Sequence, residues 1–247
     1  MPLREELERS GTWLFRWRSY VPLVLLPLVA IGFIGFRYPR DSRLLNELWE
    51  AICLVVSVAG IAIRAKTIGH TPAGTSGRNT AQGQVASVVN RTGMYSIVRH
   101  PLYLGNYLMW LGIMMLPRAI WPAIVISLAY WLYYERIMFA EEEYLRRKFG
   151  AEYEEWASVT PAFLPSIRKW VRPSLPFCTK TVLKREYSGI FAVAVLFAAA
   201  DLAGNAIAGG RARLDAQSWT TFVIGSVLYV TLLVMKRNTR WLRVEGR

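Results

Sequence analysis

The sequence predicts an all-α, polytopic membrane protein with about six transmembrane helices. Its composition is unusually apolar, since 53% of the 247 residues are hydrophobic and 13% are aromatic, including ten Trp. The second observation is a series of apolar windows near the ~20 residues that a helix needs to cross a bilayer. The predicted spans are 20–36, 44–63, 102–116, 119–134, 188–203 and 217–235, of which 188–203 is somewhat short.

The N-terminal segment 3–18 mixes Leu and Trp with charged residues, which predicts a short helix lying at the membrane interface. The apolar run that follows is long for a signal-peptide core, and no small-residue cleavage site comes after it. We therefore expect a retained anchor.

The distribution of Lys and Arg predicts the orientation. With both termini in the cytoplasm, 24 of the 30 basic residues flank the spans on the inside and six lie outside. An odd number of spans would remove this asymmetry. The expected location is the bacterial inner (cytoplasmic) membrane, in multi-pass form.

The net charge of +13 is more consistent with anionic lipid headgroups than with nucleic acid, because the basic residues flank spans and no nucleic-acid fold signature is present. The two Cys and two His lack the spacing of a disulfide framework or a zinc site, so no metal is expected.

Two polar regions interrupt the apolar pattern. Residues 67–90 are rich in Gly, Ser, Thr and Asn, which predicts a long cytoplasmic loop of the functional or disordered kind. The helix that includes 119–134 is expected to continue out of the membrane to Phe149 and to end at Gly150. An amphipathic stretch, 152–159, and a Pro-rich segment follow it.

The first candidate for chemistry is the segment 93–106, GMYSIVRHPLYLGN, where the polar loop meets a span. Pro101 suits a helix start, and Arg99 and His100 beside the helix N-terminus could bind a carboxylate or phosphate. Gly105 would allow a ligand or a neighbouring helix to approach. A simple helix start that carries a positive-inside Arg fits these residues about as well.

The second candidate is the run Glu141, Glu142 and Glu143. At ~100° per residue, only one or two of these side chains can face a common pocket. A carboxylate there could bind an ammonium group or a ribose hydroxyl. The competing interpretation is a solvated helix face with the i,i+4 pairs Glu142–Arg146 and Glu143–Arg147.

Taken in order, these segments read G-x-Y-x-x-x-R-H-P-x-Y-x-G, then E-E-E-Y-L-R-R-K-F-G-A-E-Y-E-E-W, then P-A-F-L-P. This series resembles the isoprenylcysteine carboxyl methyltransferase family, to which bacterial phospholipid and lipid A phosphate methyltransferases are similar. The resemblance implies an all-helical enzyme that binds S-adenosylmethionine in a cytoplasmic pocket and takes a lipid or lipidated acceptor from the bilayer.

The resemblance also implies roles for individual residues. Arg99, Glu141 and Glu142 are the catalytic candidates. The expected cofactor contacts are Tyr95, His100, Pro101, Tyr103, Gly105, Glu141 and Glu142. The loop that holds Arg78 and Asn79 is not part of the family motif. From their chemistry alone, Arg78, Asn79 and Arg91 are the expected contacts to the acceptor headgroup, although an ordinary loop is an equally good interpretation of the first two.

The resemblance suggests two parts: a methyltransferase core at 1–187, with its motifs at 93–165, and a two-span extension at 188–247. The extension either shapes the acceptor site or braces the fold. Nine basic residues are expected around the pocket and favour a carboxylate or phosphate acceptor: Arg78, Arg91, Arg99, Arg168, Lys169, Arg172, Lys180, Lys184 and Arg185. The positive-inside bias alone explains these residues equally well. An amine such as phosphatidylethanolamine would instead need a general base, for which Glu141 or Glu142 would serve.

Two other classes stay open. NADPH-dependent membrane sterol or enone reductases carry a similar R-H-x-x-Y-x-G, but they usually show an acidic-then-cysteine motif where this chain has three Glu followed by basic residues. A scaffold or small transporter would be favoured only without cofactor binding, and Asp201 is the one intramembrane acid expected.

Overall fold

The structure, a computed structural model, describes residues 2–72, 84–244 and 246. That part of the chain consists of helices and connecting segments without a β-strand, so the all-α class is confirmed. The α-helices are α1 (Leu3–Trp17), α2 (Leu26–Gly32), α3 (Arg43–Gly69), α4 (Pro101–Met115), α5 (Ile120–Phe149), α6 (Ala151–Val159), α7 (Thr179–Gly209) and α8 (Ala216–Asn238). Short 3₁₀ turns form at Val21–Leu25, Pro39–Asp41, Gly93–Ser96 and Ile167–Lys169.

Among the described residues, four helices are long and apolar enough to cross a bilayer: α3, α5, α7 and α8. Leu3–Trp17 and Val21–Gly32, which meet at an angle of 87°, would together count as a fifth. Helix α4 has 15 residues and a length of about 22 Å at 1.5 Å per residue, less than the ~30 Å hydrocarbon core. The count of six spans and the cytoplasmic position of both termini stay predictions.

The predicted span 20–36 is not one continuous helix. Pro22 lies at the start of the Val21–Leu25 turn, and Pro27 lies at the start of the seven-residue α2. Because Pro lacks the N–H that would continue a preceding helix, each Pro begins a new helical segment.

Helices α4 and α5 form the predicted hairpin around Pro117 and Arg118, and Arg118 has a positive φ of 58°. Helix α5 then runs without interruption to Phe149, as predicted. Gly150 has φ +54° and separates α5 from α6. A residue with a side chain would be strained in that conformation, so the chain turns where Gly150 stands.

Helices α3 and α4 approach closely through small residues. A Cβ atom added to Gly105 would lie 2.5 Å from Cγ of Arg64 and 2.8 Å from the carbonyl oxygen of Gly60. Further along, the Ser57 hydroxyl donates to the Met109 carbonyl at 2.9 Å. The pair is therefore packed nearly backbone to backbone, as in other membrane helix pairs with small residues at the interface.

Helix α1 lies across the C-terminal half of α5, which agrees with the predicted amphipathic N-terminal helix. Arg4 pairs with Glu143 at 2.5 Å, and Arg147 pairs with Glu8 at 2.5 Å. Phe15 is buried on the side facing the protein. These contacts place the end of α1 beside the site described below.

Helix α7 joins the C-terminal segment to the motif helices. Glu186 receives two hydrogen bonds of 2.7 Å from Arg64 on α3. Residue 187, the predicted boundary between core and extension, lies within α7, and the division itself stays a prediction.

The expectation that Asp201 is the one intramembrane acid is wrong, because Glu50 is also buried within α3. One oxygen of the Glu50 carboxylate accepts a hydrogen bond from the amide of Asn46 at 2.8 Å, which lowers the cost of burying it in an apolar segment.

Candidate functional site

The turn that carries Arg99 and His100 is fixed by backbone hydrogen bonds to the Pro-rich segment. The N–H of Arg99 donates to the Pro161 carbonyl at 2.8 Å, and the N–H of His100 donates to the Ala162 carbonyl at 3.2 Å. The carbonyl of Ile97 accepts from the N–H of Ser166 at 2.9 Å. The P-A-F-L-P segment therefore holds the R-H-P turn in place.

The same pairing continues before the turn. The indole N–H of Trp156 donates to the Tyr95 carbonyl at 3.1 Å. The N–H of Val171 donates to the Ser96 hydroxyl at 2.9 Å, and the N–H of Gly93 donates to the Val171 carbonyl at 3.0 Å. Segments that are distant in sequence thus form one hydrogen-bonded rim.

Glu142 links the two motif segments through its side chain. It accepts a hydrogen bond from Nη1 of Arg99 at 2.7 Å, and its other oxygen lies 2.8 Å from Nε2 of His100. Glu141 lies on the other side of the imidazole, 3.6 Å from Nδ1 of His100. Two of the three glutamates therefore face one site, as the helical geometry predicted.

The third glutamate points elsewhere. Glu143 is buried and pairs with Arg4 and, at 2.8 Å, with Arg146. The predicted pairs Glu142–Arg146 and Glu143–Arg147 are not among the ion pairs of the described residues, since Arg147 pairs with Glu8. The solvated-face interpretation of this run is wrong, because α1 and the R-H-P turn cover it from two sides.

His100 is 7% exposed and sits between two carboxylates. Burial alone would lower its pKa, but the hydrogen bonds and charges of Glu141 and Glu142 outweigh burial and raise the pKa above its ordinary value. The imidazole also stacks on Tyr103, with ring centroids 5.7 Å apart. His100 is thus held by charge on both edges and by an aromatic ring on one face.

A cavity of about 880 Å³ opens beside this cluster. Its polar part is lined by Arg64, Tyr95, Arg99, His100, Asn106, Glu141 and Arg185. Its apolar part runs between α4 and α7 and is lined by residues such as Met109, Ile113, Val193 and Leu196. One cavity therefore connects a charged rim to an apolar corridor.

Three polar atoms beside this cavity are buried without a hydrogen-bond partner among the described residues: Nε of Arg99, the Tyr153 hydroxyl and Nε2 of Gln84. Burial raises the pKa of Tyr153, so its hydroxyl keeps its proton and can donate. Each such group costs roughly 1–3 kcal/mol when it stays unpaired. A ligand that pairs with them would offset this cost.

Most of the residues predicted for the catalytic and cofactor site line the cavity, and two do not. Tyr95, Arg99, His100, Pro101, Tyr103 and Glu141 line the cavity. Glu142 reaches the site through its contacts with Arg99 and His100. Gly105 was expected to contact the cofactor, but it packs against α3 instead, because the close approach of α3 leaves no room for a ligand there.

Of the three predicted headgroup contacts, Arg91 is the one that the structure describes. Arg91 is exposed and pairs with Glu152 on α6, and it is not among the described residues of the cavity wall. Arg78 and Asn79 lie outside the described residues. Of the nine basic residues expected around the pocket, Arg99 and Arg185 line it among those described. The others that are described lie elsewhere: Arg91, Arg168, Lys169, Arg172, Lys180 and Lys184.

Sequence reasoning missed several polar residues of the wall. Arg64 donates to both Glu186 and Asn106, and Asn106 donates to the Tyr134 hydroxyl at 3.2 Å. Tyr153 lies within the E-Y-E-E-W series that carries the resemblance, which was the available signal. The signal for Arg64 was its position directly after the apolar window 44–63. Its partner Glu186 could not be predicted, because the two residues are 122 positions apart in the sequence.

Comparison with known proteins agrees with the motif region. Residues 50–152 match the family model described as phospholipid methyltransferase. The family resemblance predicted from the sequence is confirmed. The matched region contains most of α3, all of α4 and α5 and the start of α6, whereas α7 and α8 lie outside it.

Three curated relatives show partial similarity. Over 75 residues, 30% of this chain and 32% of the relative, the chain is 35% identical to protein-S-isoprenylcysteine O-methyltransferase of Schizosaccharomyces pombe. Over 153 residues, 61% of this chain and 63% of the relative, it is 29% identical to nickel-cobalt-cadmium resistance protein NccN of Alcaligenes xylosoxydans xylosoxydans. Over 85 residues, 34% of this chain and 39% of the relative, it is 34% identical to cobalt-zinc-cadmium resistance protein CzcN of Cupriavidus metallidurans.

The chain thus spans less than two thirds of the length of each of these relatives. No solved structure matches. Two of the relatives are named for metal resistance. In the part of the chain that the structure describes, no three or more His, Cys, Asp or Glu side chains are grouped to hold a metal ion.

Proposed function

We propose that this protein is an integral membrane methyltransferase that uses S-adenosylmethionine to methylate a lipid or lipidated acceptor with a carboxylate or phosphate headgroup. The observation that carries the proposal is the cluster of Arg99, His100, Glu141 and Glu142 at the polar end of a cavity that continues between membrane helices. The family match and the isoprenylcysteine methyltransferase relative support the same class. The site is proposed to face the cytoplasm of a bacterial inner membrane.

The residues present suit this cofactor. S-adenosylmethionine carries an ammonium group and ribose hydroxyls, which a carboxylate on the wall such as Glu141 can bind. It also carries a carboxylate, for which the unpaired Nε of Arg99 and the Tyr153 hydroxyl are suitable donors. When bound, the cofactor supplies an activated methyl group on a sulfonium.

The protein's part in such a reaction is mainly positioning. Methyl transfer needs the acceptor in line with the methyl group, and effective alignment supplies a large share of the rate. Glu142 fixes His100 and Arg99 from behind, and Tyr103 supports the imidazole face. These contacts make the cofactor side of the cavity rigid before a ligand enters.

A carboxylate or phosphate acceptor is already anionic and needs no general base. An amine acceptor would need one, and Glu141 is the better candidate because Glu142 is already engaged by two cations or donors. Charge on the described cavity wall also favours an anion, because the wall carries Arg16, Arg18, Arg64, Arg99 and Arg185 but only two Glu, Glu141 and Glu186. Glu186 neutralises Arg64, and Glu142 behind the wall neutralises Arg99, so three Arg remain against one Glu.

The cofactor assignment is tested by titrating the purified protein with S-adenosylhomocysteine and with NADPH. Binding of S-adenosylhomocysteine alone is expected, and binding of NADPH alone would favour the reductase class instead. Replacing His100 or Glu141 by Ala should weaken S-adenosylhomocysteine binding by about 10- to 150-fold, the loss of one hydrogen bond to a charged group.

His70 provides the matched control. It is the other His of the chain, it contacts the Leu175 carbonyl and Phe177, and it is not among the described residues of the cavity wall. His70→Ala should leave the affinity unchanged. If His100→Ala and Glu141→Ala both stay within about twofold of wild type, the site assignment is wrong.

The acceptor class is tested by transfer of a labelled methyl group to defined vesicles. Vesicles that contain phosphatidate should be methylated faster than vesicles of phosphatidylethanolamine, and the rate should fall as added salt screens the basic wall. Salt-insensitive N-methylation of phosphatidylethanolamine would replace the anionic acceptor by an amine and leave the methyltransferase class intact.

A further inference from the structure

Helix α7 lies beyond the family-matched region, yet it forms a continuous wall of the cavity. Its lining residues are Arg185, Glu186, Ser188, Gly189, Ala192, Val193 and Leu196. These positions recur every three or four residues, so they share one face of the helix. The wall is therefore one face of α7 between residues 185 and 196.

The wall changes character along its length. Its cytoplasmic end carries Arg185 and the Arg64–Glu186 pair, whereas Ala192, Val193 and Leu196 are apolar. From residue 185 to residue 196 the helix rises about 16 Å, roughly half of the ~30 Å hydrocarbon core. Trp110 and Ile113 of α4 line the same corridor from the opposite side.

Arg185 lies where the polar and apolar parts meet, and it is close to the cofactor side. Burial and the charge of Glu141 raise the pKa of Tyr95, while Arg185 and Arg64 oppose the shift. Tyr95, Glu141 and Arg185 also line the same cavity. A headgroup bound at Arg185 would lie next to the groups proposed to bind the cofactor.

We infer that α7 forms the acceptor wall, with Arg185 contacting the anionic headgroup of a membrane lipid and the face from Gly189 to Leu196 contacting its hydrocarbon chain. The inference rests on the proposed function, since it assigns the acceptor part of the same cavity. The complementarity of a basic rim and an apolar corridor selects one occupant, an anionic lipid. A free anion would leave the corridor unfilled, and a neutral lipid would lack the negative charge that complements a basic rim.

Gly189 is a position from which an added side chain would enter the corridor. A Cβ atom there would lie 3.5 Å from Cε of Met109 and 3.9 Å from Oε2 of Glu186, which are ordinary contact distances. A single methyl group therefore fits, and a longer side chain would extend into the space between α7 and α4. Gly189→Leu should occupy the corridor, and Gly189→Ala should not.

The test measures binding of two phosphatidates, dioleoyl and dihexanoyl, to detergent-purified protein with S-adenosylhomocysteine present. Gly189→Leu should weaken binding of dioleoyl phosphatidate by about tenfold or more and leave the short-chain lipid within about twofold. Ala199→Leu, on the exposed face of α7, adds similar volume outside the cavity and should change neither. Arg185→Gln should weaken both phosphatidates by about tenfold, because both carry the headgroup.

Outcomes of this test differ from those of the cofactor test. Wild-type protein that binds dioleoyl phosphatidate no more tightly than dioleoyl phosphatidylcholine overturns the inference, whatever the cofactor titration shows. The inference is also overturned if Gly189→Leu and Arg185→Gln, like Ala199→Leu, leave the binding of both phosphatidates unchanged. If S-adenosylhomocysteine does not bind wild type while the lipid results are as expected, the proposed function fails and the lipid site stands. A cooperative unfolding transition like that of wild type shows that Gly189→Leu is folded, and Arg185→Gln tests the inference independently should it fail to fold.

Discussion

Replacing Glu142 by Gln tests the centre of the proposed site with little change in shape. The carboxylate receives Arg99 on one oxygen and His100 on the other, at 2.7 and 2.8 Å. An amide has one oxygen and one NH₂ group, so one of the two partners would face a donor instead of an acceptor. A hydrogen bond to a charged group contributes roughly 1.5–3 kcal/mol, which corresponds to about 10- to 150-fold in a dissociation constant.

We expect S-adenosylhomocysteine to bind Glu142→Gln more weakly by that factor, as measured by calorimetric titration of the purified protein. Glu143→Gln is the matched control, since it makes the same chemical change one residue further along the same helix. Glu143 is buried and paired with Arg4 and Arg146, away from the R-H-P turn. Its replacement should lower the unfolding temperature without changing cofactor affinity.

Two results would refute this reasoning. Equal loss of affinity in both variants would mean that the effect is a general weakening of α5 and not a local one at His100. Unchanged affinity in Glu142→Gln would mean that the contacts to Arg99 and His100 do not prepare the site for a ligand.

Three further predictions concern pH, packing and topology. The raised pKa of His100 means that its contacts with the carboxylates stabilise the fold fully below the ordinary value of about 6.5 and lose that effect as pH rises through the folded value. The difference in unfolding temperature between wild type and Glu142→Gln should therefore be largest at low pH and shrink on raising it. Gly105→Ala should destabilise the protein by about 1–3 kcal/mol in thermal or denaturant unfolding, since its Cβ would overlap Arg64 and α3. Cys introduced at Lys169 should react with an impermeant thiol reagent only from the cytoplasmic side, and Cys introduced at Arg211 only from outside.

Each of these has a distinct control. If the pH dependence of the unfolding temperature persists in Glu142→Gln and disappears in His70→Ala, its source is His70 and the attribution to His100 is wrong. Gly189→Ala adds the same methyl group at an ordinary contact distance, so equal destabilisation by both glycine variants would remove the packing argument for Gly105. The labelling experiment needs replacement of the native Cys53 and Cys178, and labelling of position 169 from outside would invert the topology.

Local sequence signals predicted the parts of the structure that depend on local chemistry. The R-H-P turn with Pro101 in the first helical turn, the continuation of α5 to Phe149 and the break at Gly150 all follow from residue types and their order. The interruption of the first predicted span was also present in the sequence as Pro22 and Pro27. A hydropathy window averages over such residues and so does not register them.

Tertiary contacts decided the rest. Helical geometry restricts how many of the three glutamates share a pocket, but it does not say which, because that depends on where α1 and the R-H-P turn pack against α5. For the same reason Gly105 was equally compatible with a ligand and with a neighbouring helix, and Arg91 gave no indication that Glu152 would engage it. The role of α7 as a cavity wall depends on how it packs against α3 and α4, which the motifs do not encode.

The backbone pairing around the R-H-P turn has a consequence for the order in which the protein is made. Tyr95 and its partner Trp156 are 61 residues apart, and Gly93 is held by Val171, so the ribosome completes the α4–α5 hairpin before these partners exist. A nascent chain that ends at residue 152, the end of the family-matched region, still lacks the carbonyls of Pro161, Ala162 and Val171. The segment with the motifs is therefore synthesised before the residues that fix its backbone. A shortened chain that keeps Glu141 and Glu142 but lacks Pro161 and Ala162 would lose the backbone hydrogen bonds that position Arg99 and His100.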